Sequence, residues 1–322
     1  MAASGTSAAP SPLPTSLRIG FLGPLGTFTE QALLTQPDLA QGELVPIASI
    51  GEVLVATEAG DVDLGFVPIE NSIEGSVHAT IDRLVFNHDL LIQREVVLDV
   101  QLCLLAPAGT VLNDVKRVVS IPVATAQCHE FLSAELPSVE LVAANSTAEA
   151  AQMVGEQHPE GTAAIGPPLA GKLYGLEVIA ADIADHDGNQ TRFVVVARDG
   201  VAHPTGHDKT SVVVYQRANA PGSLISILQE FAARRINLSK LESRPTKSGG
   251  LGDYCFIIDM EGHIADEVVA DALRGLHSKQ GGVKFLGSYP AGGDHGEAVR
   301  AQADSAWREA EAWIASLRSK IS

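Results

Sequence analysis

The sequence is short of basic residues. Its 322 residues contain 22 Lys and Arg against 39 Asp and Glu, a formal net charge of −17 at pH 7. Proteins that coat nucleic acid or an anionic membrane carry the opposite excess, so we expect neither as a partner. The sequence also has no run of 18 or more apolar residues, and a membrane-spanning helix is therefore not predicted.

Cysteine is scarce, and metal-ligand patterns are missing. The three cysteines, Cys103, Cys128 and Cys255, are far apart and have no CxxC spacing. This usage is typical of a protein of the reducing cytoplasm. The 10 histidines show no HExxH or other paired spacing, so neither a metal site nor a cofactor is predicted.

The chain is long enough for about two domains, and its 45% hydrophobic content can fill sizeable cores. The first sixteen residues are small, polar and rich in proline, without the basic and apolar regions of a secretory signal. We expect residues 1–16 to form a disordered tail.

Residues 17–198 alternate short apolar runs with alanine-rich helical patterns. This alternation predicts an α/β domain with a mixed or parallel sheet and helices on both faces. The long apolar stretch over 90–107 is where we expect the chain to cross into a second lobe. The strand "RFVVVAR" (192–198) would then return to the first lobe. Two such lobes can enclose a small ligand in the cleft between them.

The rest of the chain predicts a second, smaller domain. Residues 199–208 combine Gly, Pro and polar residues and are interpreted as a linker. Residues 209–290 show the order βαββαβ, which is the ferredoxin-like arrangement. Residues 291–322 predict a helix that either docks on its own subunit or contacts another one. Its narrow apolar seam consists of Ala303, Trp307, Ala310, Ile314, Leu317 and Ile321.

Polar clusters fall next to the predicted strands of the α/β domain. They are "GPLGTF" (23–28), "ENS" (70–72), "SIPVATAQC" (120–128) and "GNQTRF" (188–193). The first is neither a GxGxxG fingerprint nor a P-loop. Each cluster taken alone also fits a plain turn or helix cap. Together they offer hydroxyl and amide donors, and Arg192 adds a fork that can hold a carboxylate or brace its loop. Such a site suits a substrate that supplies its own driving force.

Five motifs in this order, "GPLGTFT", "IENSIEG", "AQC", "GNQTRF" and "ESRP", resemble the prephenate dehydratase family over about residues 17–290. The resemblance implies a two-lobed catalytic domain of the type 2 periplasmic-binding-protein kind, followed by a regulatory ACT domain. It implies loss of carbon dioxide and the ring hydroxyl from prephenate, with aromatisation as the driving force.

The resemblance also assigns the site residues. Thr191 would hydrogen-bond the departing hydroxyl, while Asn71, Ser120 and Gln127 would bind or orient the substrate. The residues assigned to substrate binding are Thr27, Ser72 and Arg192. One position departs from the family pattern: Ile121 stands where the family usually has a histidine, so no acid–base histidine is assigned.

The ACT part would bind L-phenylalanine and make the enzyme subject to feedback. The effector residues implied are Asn219, Pro221, Gly222, Leu224, Glu242, Ser243 and Arg244. Because ACT domains usually pair, a homodimer or homotetramer is expected. Two alternatives stay open at this point. The enzyme could act on arogenate, the amino form of prephenate, or the chain could be a non-catalytic amino-acid sensor.

Overall fold

A computed structural model describes residues 17–217, 220–246, 253–292, 312–314 and 316–320, so the predicted tail over 1–16 lies outside the described residues. Three β-sheets organise this part of the chain. Its strands are β1 (Arg18–Leu22), β2 (Glu43–Ile47), β3 (Leu64–Asn71), β4 (Gly75–Ser76), β5 (Leu91–Asp99), β6 (Cys103–Ala106), β7 (Arg117–Ser120), β8 (Glu140–Ala143), β9 (Thr162–Gly166), β10 (Glu177–Ala180), β11 (Gln190–Ala197), β12 (Asp208–Tyr215), β13 (Leu238–Pro245), β14 (Tyr254–Glu261) and β15 (Gly282–Pro290). Its helices are α1 (Phe28–Leu34), α2 (Ile50–Ala59), α3 (His78–Phe86), α4 (Pro122–Ala126), α5 (His129–Glu135), α6 (Thr147–Gln157), α7 (Pro168–Leu173), α8 (Ser223–Ala232) and α9 (Glu267–Lys279).

The first two sheets form two lobes. The first lobe has the strand order β2-β1-β3-β11-β5, with β4 at the end of β3, and the second has β10-β6-β9-β7-β8. Strands β1, β2 and β3 are parallel, whereas β11 runs antiparallel between β3 and β5. The chain leaves the first lobe after β5 and returns in β11. This confirms the predicted crossing and the two-lobed α/β fold of the periplasmic-binding-protein kind.

Three helices begin at hydroxyl caps that the sequence makes recognisable. Thr27, Ser49 and Ser146 accept the backbone N–H three residues later at 3.3, 3.2 and 2.9 Å. Each cap satisfies a donor that the first helical turn leaves unpaired. The caps follow β1, β2 and β8 directly, so they place polar residues at the carboxyl ends of the strands, where ligands bind in open α/β sheets.

The third sheet confirms the ferredoxin-like prediction. Elements β12, α8, β13, β14, α9 and β15 follow in the order βαββαβ, and the strands lie in the order β13-β14-β12-β15. Helices α8 and α9 cover one face of this sheet, where Phe231 and Leu276 pack against Ile258. The domain therefore has a core of its own.

The other face of the third sheet packs on the first lobe. Val213 and Ile257 from the C-terminal domain belong to the same hydrophobic cluster as Leu84 and Ile92 from the first lobe, and all four are at most 4% exposed. Alternate residues of one strand point to opposite faces of a sheet. Ile257 accordingly joins the shared cluster, while Ile258 joins the core under the helices.

Two sequence expectations need qualification. The pattern of "ATAQCHEFLSAEL" (124–136) predicts one continuous helix, and this prediction is wrong because the chain breaks between α4 and α5. The Cys128 backbone N–H donates to the Thr125 carbonyl, three residues back, and so tightens the chain out of the α-helical pattern. Of the predicted C-terminal seam, Ile314 and Leu317 are described and are 37% and 40% exposed. The other members, Ala303, Trp307, Ala310 and Ile321, lie outside the described residues.

Candidate active site

A cleft of about 850 Å³ separates the two lobes. The loop after β1 and the start of α1 line one wall, and the start of α6 lines the other. Phe28 packs against core clusters of both lobes, and the Tyr174 hydroxyl donates to the Leu25 carbonyl oxygen across the gap at 2.9 Å. The residues around this cleft, all within the described ranges, include no Lys, Arg or His. The polar side chains that line the cleft are hydroxyls, amides and the Glu149 carboxylate, and Asn71, Gln127 and Thr191 are not among them.

Asn71 and Thr191 form a hydrogen-bonded pair at the carboxyl edge of the first sheet. They lie directly opposite each other in the β3–β11 register, and Asn71 Nδ2 donates to Thr191 Oγ1 at 2.9 Å. Asn71 Oδ1 accepts the backbone N–H groups of Ile73 and Glu74 at 2.9 and 3.0 Å. These two bonds fix the amide orientation, because an oxygen is required on that side.

Asn189 connects this pair to the second lobe. Asn71 Nδ2 donates to Asn189 Oδ1 at 2.8 Å, and Asn189 Nδ2 donates to Gln127 Oε1 at 3.0 Å. Gln127 Nε2 then donates to Glu74 Oε1 at 2.9 Å. The amides thus orient one another from the backbone of the first lobe to the helix break of the second. We call Asn71, Gln127, Asn189 and Thr191 the amide–hydroxyl network.

The direction of these bonds determines what Thr191 can do. Its oxygen accepts a hydrogen bond from Asn71 Nδ2, so its own hydroxyl proton remains available to donate. A hydroxyl in this state can hydrogen-bond a leaving oxygen. Gln127 likewise uses one of its two amide protons on Glu74 and keeps the second.

Thr27 and Ser72 have local structural partners. Thr27 lines the cleft, caps α1 and donates to the Leu22 carbonyl oxygen at 3.1 Å. Ser72 accepts the Gln190 N–H at 2.9 Å and donates to the Gly188 carbonyl oxygen at 3.1 Å. Ser72 therefore braces the loop that presents Asn189 and Thr191.

Ser120 is not brought to the network. Its hydroxyl donates to the Ile165 carbonyl oxygen at 2.8 Å, and the residue is 1% exposed. The hydroxyl ties β7 to β9 inside the second lobe. The cap of α4 is Ile121, without a side-chain bond. The Ser120 hydroxyl therefore neither faces the network, as its predicted role at the substrate requires, nor caps α4, as the alternative requires.

The position of Arg192 corrects its interpretation as a carboxylate anchor. Its neighbour Thr191 faces the network, whereas the Arg192 side chain is 11% exposed on the opposite side of β11 and contacts Glu70, Glu95 and Asp259 at 3.1, 2.6 and 2.7 Å. Burial alone would lower the pKa of Arg192, but Asp259 and the other anionic neighbours raise it well above its usual value. The fork therefore binds protein carboxylates and does not enter the cleft.

Neither Cys128 nor Ile121 supplies a nucleophile or an acid–base group at this site. Burial raises the pKa of Cys128, the cysteine of the "AQC" motif, to about 12, so its thiolate is not populated near neutral pH. Ile121 lines the cleft at the position where a histidine was expected by resemblance. In the part of the chain that the structure describes, no three or more His, Cys, Asp or Glu are grouped as metal ligands would be.

The predicted effector residues lie on two segments of the C-terminal domain. Gly222 precedes α8 with a φ of 87°, beside Pro221, and Leu224 packs into the domain core. Asn219 lies outside the described residues. The α8 N-terminus has no side-chain cap, and its first N–H group, that of Ser223, donates to the Ala220 carbonyl oxygen at 3.1 Å.

The second segment is the edge strand β13. Glu242 Oε2 accepts a hydrogen bond from the Ser76 hydroxyl of the first lobe at 2.6 Å, and Arg244 Nε donates to Asp82 Oδ1 at 2.9 Å. Ser243 points to the other, exposed face. Glu242 and Arg244 therefore stand at the contact between the domains, a location that the sequence pattern does not reveal.

The sequence interpretation missed the structural role of two residues. Asn189 was noticed within "GNQTRF" but received no assigned role, although it is 4% exposed and joins both lobes. Glu74 of "IENSIEG" was left out altogether. A signal was present in each case, because each stands within a recognised motif, two or three residues from an assigned residue.

Comparisons with known proteins address the resemblance directly. The family model for prephenate dehydratase matches residues 19–201, and the model for the ACT domain matches residues 210–278. A prephenate dehydratase of Mycolicibacterium vanbaalenii is 44% identical over 314 residues, covering 93% of this chain and 98% of that protein. The chain belongs to the prephenate dehydratase family.

Solved structures agree on the architecture of this family. Prephenate dehydratase from Arthrobacter aurescens in complex with L-Phe has a TM-score of 0.81 and 40% identity, covering 94% of this chain and all of that one. A protein named GqqA, described as a novel type of quorum quenching acylase, has a TM-score of 0.75 and 28% identity, covering 85% of this chain and 98% of that one. The predicted family, the enzyme class and the fold with its ACT domain are thereby confirmed.

Proposed function

We propose that the chain converts prephenate to phenylpyruvate, carbon dioxide and water, and that the amide–hydroxyl network performs this reaction. The observation that carries the proposal is the Asn71–Thr191 hydrogen bond, which leaves the threonine proton free to donate. Family membership over nearly the full chain supports the substrate.

The reaction requires the protein to orient the substrate and to donate one hydrogen bond to the leaving oxygen. As the ring carboxylate leaves as carbon dioxide, its bonding electrons enter the ring and expel the C4 hydroxyl. The departing hydroxyl takes up one proton from solvent and leaves as water, and the ring becomes benzenoid. A hydrogen bond from Thr191 to the departing oxygen stabilises the charge that develops there. Asn71, Asn189 and Gln127 hold the donor and offer further N–H groups.

We propose further that L-phenylalanine regulates the enzyme through the ACT domain. Pro221 and Gly222 stand at the start of α8, where a helix N-terminus favours a carboxylate, and the segment 242–244 lies on the edge strand β13. The Arthrobacter aurescens relative in complex with L-Phe supports this choice of effector.

The same edge supports pairing of two chains. Strand β13 is at the end of its sheet, and Ile225 and Leu241 are 61% and 45% exposed beside it. An exposed edge with apolar neighbours is a surface on which a second ACT domain could pair. We propose a homodimer or homotetramer on this basis.

A cytoplasmic location agrees with the three cysteines, which are free, buried thiols. Within the described ranges, no helix has both the length and the apolar character needed to cross a bilayer.

The deciding experiment supplies purified protein with prephenate, and separately with arogenate, and follows the aromatic product. We expect phenylpyruvate from prephenate, read by its absorbance in alkali, and a lower rate when L-phenylalanine is added. Preferential turnover of arogenate would reassign the substrate. Folded protein without turnover of either compound would instead support the sensor.

A further inference from the structure

A buried group of charges lies on the opposite side of β11 from Thr191. We call it the interdomain charge cluster. It consists of Glu70, Glu95 and Arg192 from the catalytic domain and Lys209, Lys240 and Asp259 from the ACT domain. Three negative and three positive side chains meet there, so the cluster is neutral only when both domains contribute.

The cluster is held by close contacts. Besides its three carboxylate partners, Arg192 donates to the Tyr289 hydroxyl at 3.0 Å. Lys209 Nζ lies 2.8 Å from Glu95 Oε1, and Lys240 Nζ lies 3.2 Å from Glu70 Oε1. The side chains of Glu95 and Asp259 are 1% and 4% exposed.

Stability alone is a weak reason for such a cluster. Well-packed apolar residues often stabilise a fold as much as buried ion pairs do. Removing one partner of a buried pair lowers the stability of the fold, because the other charge is then buried and unpaired. Buried charges do impose a particular geometry on the groups that satisfy them. Here that geometry joins two domains.

Lys240 connects the cluster to the proposed effector segment. Its ammonium group donates to the Ser76 hydroxyl at 2.7 Å and lies 3.6 Å from Glu242 Oε2, in addition to its contact with Glu70. A displacement of β13 at Glu242 therefore changes the surroundings of Lys240 and Glu70.

Glu70 and Arg192 connect the cluster to the catalytic pair. They lie opposite each other in the β3–β11 register. Glu70 precedes Asn71 by one position in β3, and Arg192 follows Thr191 by one position in β11. The two pairs share the same short piece of backbone and point to opposite faces. A shift of the charged pair consequently moves the catalytic pair, and misplacement by about 1 Å can cost about 100-fold in rate.

We propose that Glu70 and Arg192 are positioning residues, and that Lys240 transmits the state of the effector segment through them to Asn71 and Thr191. The inference rests on the proposed function and extends it to the route of regulation. Neither Glu70 nor Arg192 touches the substrate in this role. They determine whether the network is aligned, and the ACT domain biases them.

The test compares Lys240→Met with Lys284→Met. Lys284 is also an ACT-domain lysine at the contact with the first lobe, where its ammonium group donates to the His88 carbonyl oxygen at 2.7 Å, but it lies outside the cluster. For each variant, L-phenylalanine binding is measured by calorimetry and inhibition is measured against that variant's own uninhibited rate. We expect Lys240→Met to bind L-phenylalanine nearly normally while the fold-inhibition at saturating L-phenylalanine falls by about tenfold or more. Lys284→Met should keep both values near those of the unaltered protein.

A second variant keeps the test valid if Lys240→Met does not fold. Glu70→Gln removes the same ion pair from the catalytic side at a residue whose side chain is 34% exposed. It should also separate binding from inhibition, and the double variant should add little to either single change.

Several outcomes would contradict the relay. Unchanged inhibition in Lys240→Met and in Glu70→Gln would overturn it, as would loss of L-phenylalanine binding in Lys240→Met, which would place Lys240 in the effector site. The unaltered protein tests the proposed function separately: if it converts prephenate without inhibition by L-phenylalanine, the proposed feedback fails, and the relay fails with it.

Discussion

At the scale of single residues, the site depends on the direction of a few hydrogen bonds. The backbone of residues 73 and 74 orients Asn71, Asn71 orients Asn189, and Asn189 orients Gln127. The donors of the proposed site therefore have established positions before a substrate binds. Such preorganisation is the main way in which uncharged groups accelerate a reaction.

Thr191→Ala should lower kcat by about 100-fold to 1,000-fold, the usual cost of losing one donor to developing charge. The fold should tolerate the change, because the methyl group of alanine fits where the threonine stood. Thr191→Ser is the matched control, since it keeps the hydroxyl and should recover most of the rate. Steady-state kinetics and thermal unfolding decide the matter, and an alanine variant with near-normal kcat would remove Thr191 from the chemistry.

Asn189→Asp tests the connection between the lobes. A carboxylate at 189 keeps the acceptor for Asn71 but loses the donor to Gln127 Oε1. An unsatisfied buried group costs about 1–3 kcal/mol, so we expect kcat to fall about fivefold to 150-fold. Gln152→Glu is the control, because it makes the same amide-to-acid change in the cleft wall without touching the network. Equal effects of the two changes would show that added negative charge, and not the lost donor, is responsible.

The sequence motifs contain residues that lie close together in the structure, but they do not indicate where each side chain points. The motifs identified Asn71, Gln127 and Thr191, which the structure brings together. Arg192 was misinterpreted because alternation along a strand places it opposite Thr191, and no local pattern tells that an ACT domain covers that face. Ser120 failed for a similar reason, since its acceptor, the Ile165 carbonyl, is 45 residues away.

At the scale of elements, the loop between β1 and α1 shapes the cleft through a close approach. Gly26 has a φ of 85°, and a Cβ added there would stand 3.2 Å from Tyr174 Cε2 and 3.3 Å from Ala170 Cα. The loop thus rests on α7 of the second lobe, beside the hydrogen bond from Tyr174 to Leu25.

Gly26→Ala and Gly175→Ala form a matched pair. Both positions have positive φ, at 85° and 68°, but a Cβ at 175 would meet nothing within 4 Å. Each substitution should cost about 1–2 kcal/mol of stability for the left-handed backbone. Gly26→Ala should in addition lower kcat/KM by about tenfold, because the loop must move away from α7. Urea unfolding and steady-state kinetics separate the two effects, and equal kinetics in both variants would contradict the close approach as a determinant of activity.

Elements with local signals were predicted well. Ser49, a good helix-cap residue, and Gly60, a good helix-ending residue, stand at the limits of α2, and the pattern over 209–290 predicted βαββαβ. The break between α4 and α5 has no such signal, because no Gly or Pro stands at 127 or 128. It depends on Cys128, which is buried in the core of the second lobe.

At the scale of the whole molecule, the ACT domain and the first lobe pack together around a common hydrophobic core. The cluster around Ile257 contains side chains from both. The length of the chain and its linker indicated two domains. They could not indicate that the ACT domain supplies part of the hydrophobic core of the first lobe. That arrangement depends on contacts between residues more than a hundred positions apart.

Ile257→Ala and Ile258→Ala test this union, since adjacent residues face the shared core and the ACT core respectively. Both are buried, at 4% and 0% exposure, so each should lower the free energy of unfolding by about 2–5 kcal/mol. Calorimetry and heat inactivation of the enzyme give the measurement. A cost for Ile257→Ala well below that for Ile258→Ala would show that the domains are only tethered.

The separate core of the second lobe has a consequence for how ligands enter. The chain crosses between the lobes before β6 and after β10, and the first lobe shares its core with the ACT domain. We therefore expect substrate admission to require movement of the second lobe relative to the first lobe and the ACT domain together. An effector bound to the ACT domain would then act on the lobe that carries Asn71 and Thr191 without contacting the second lobe.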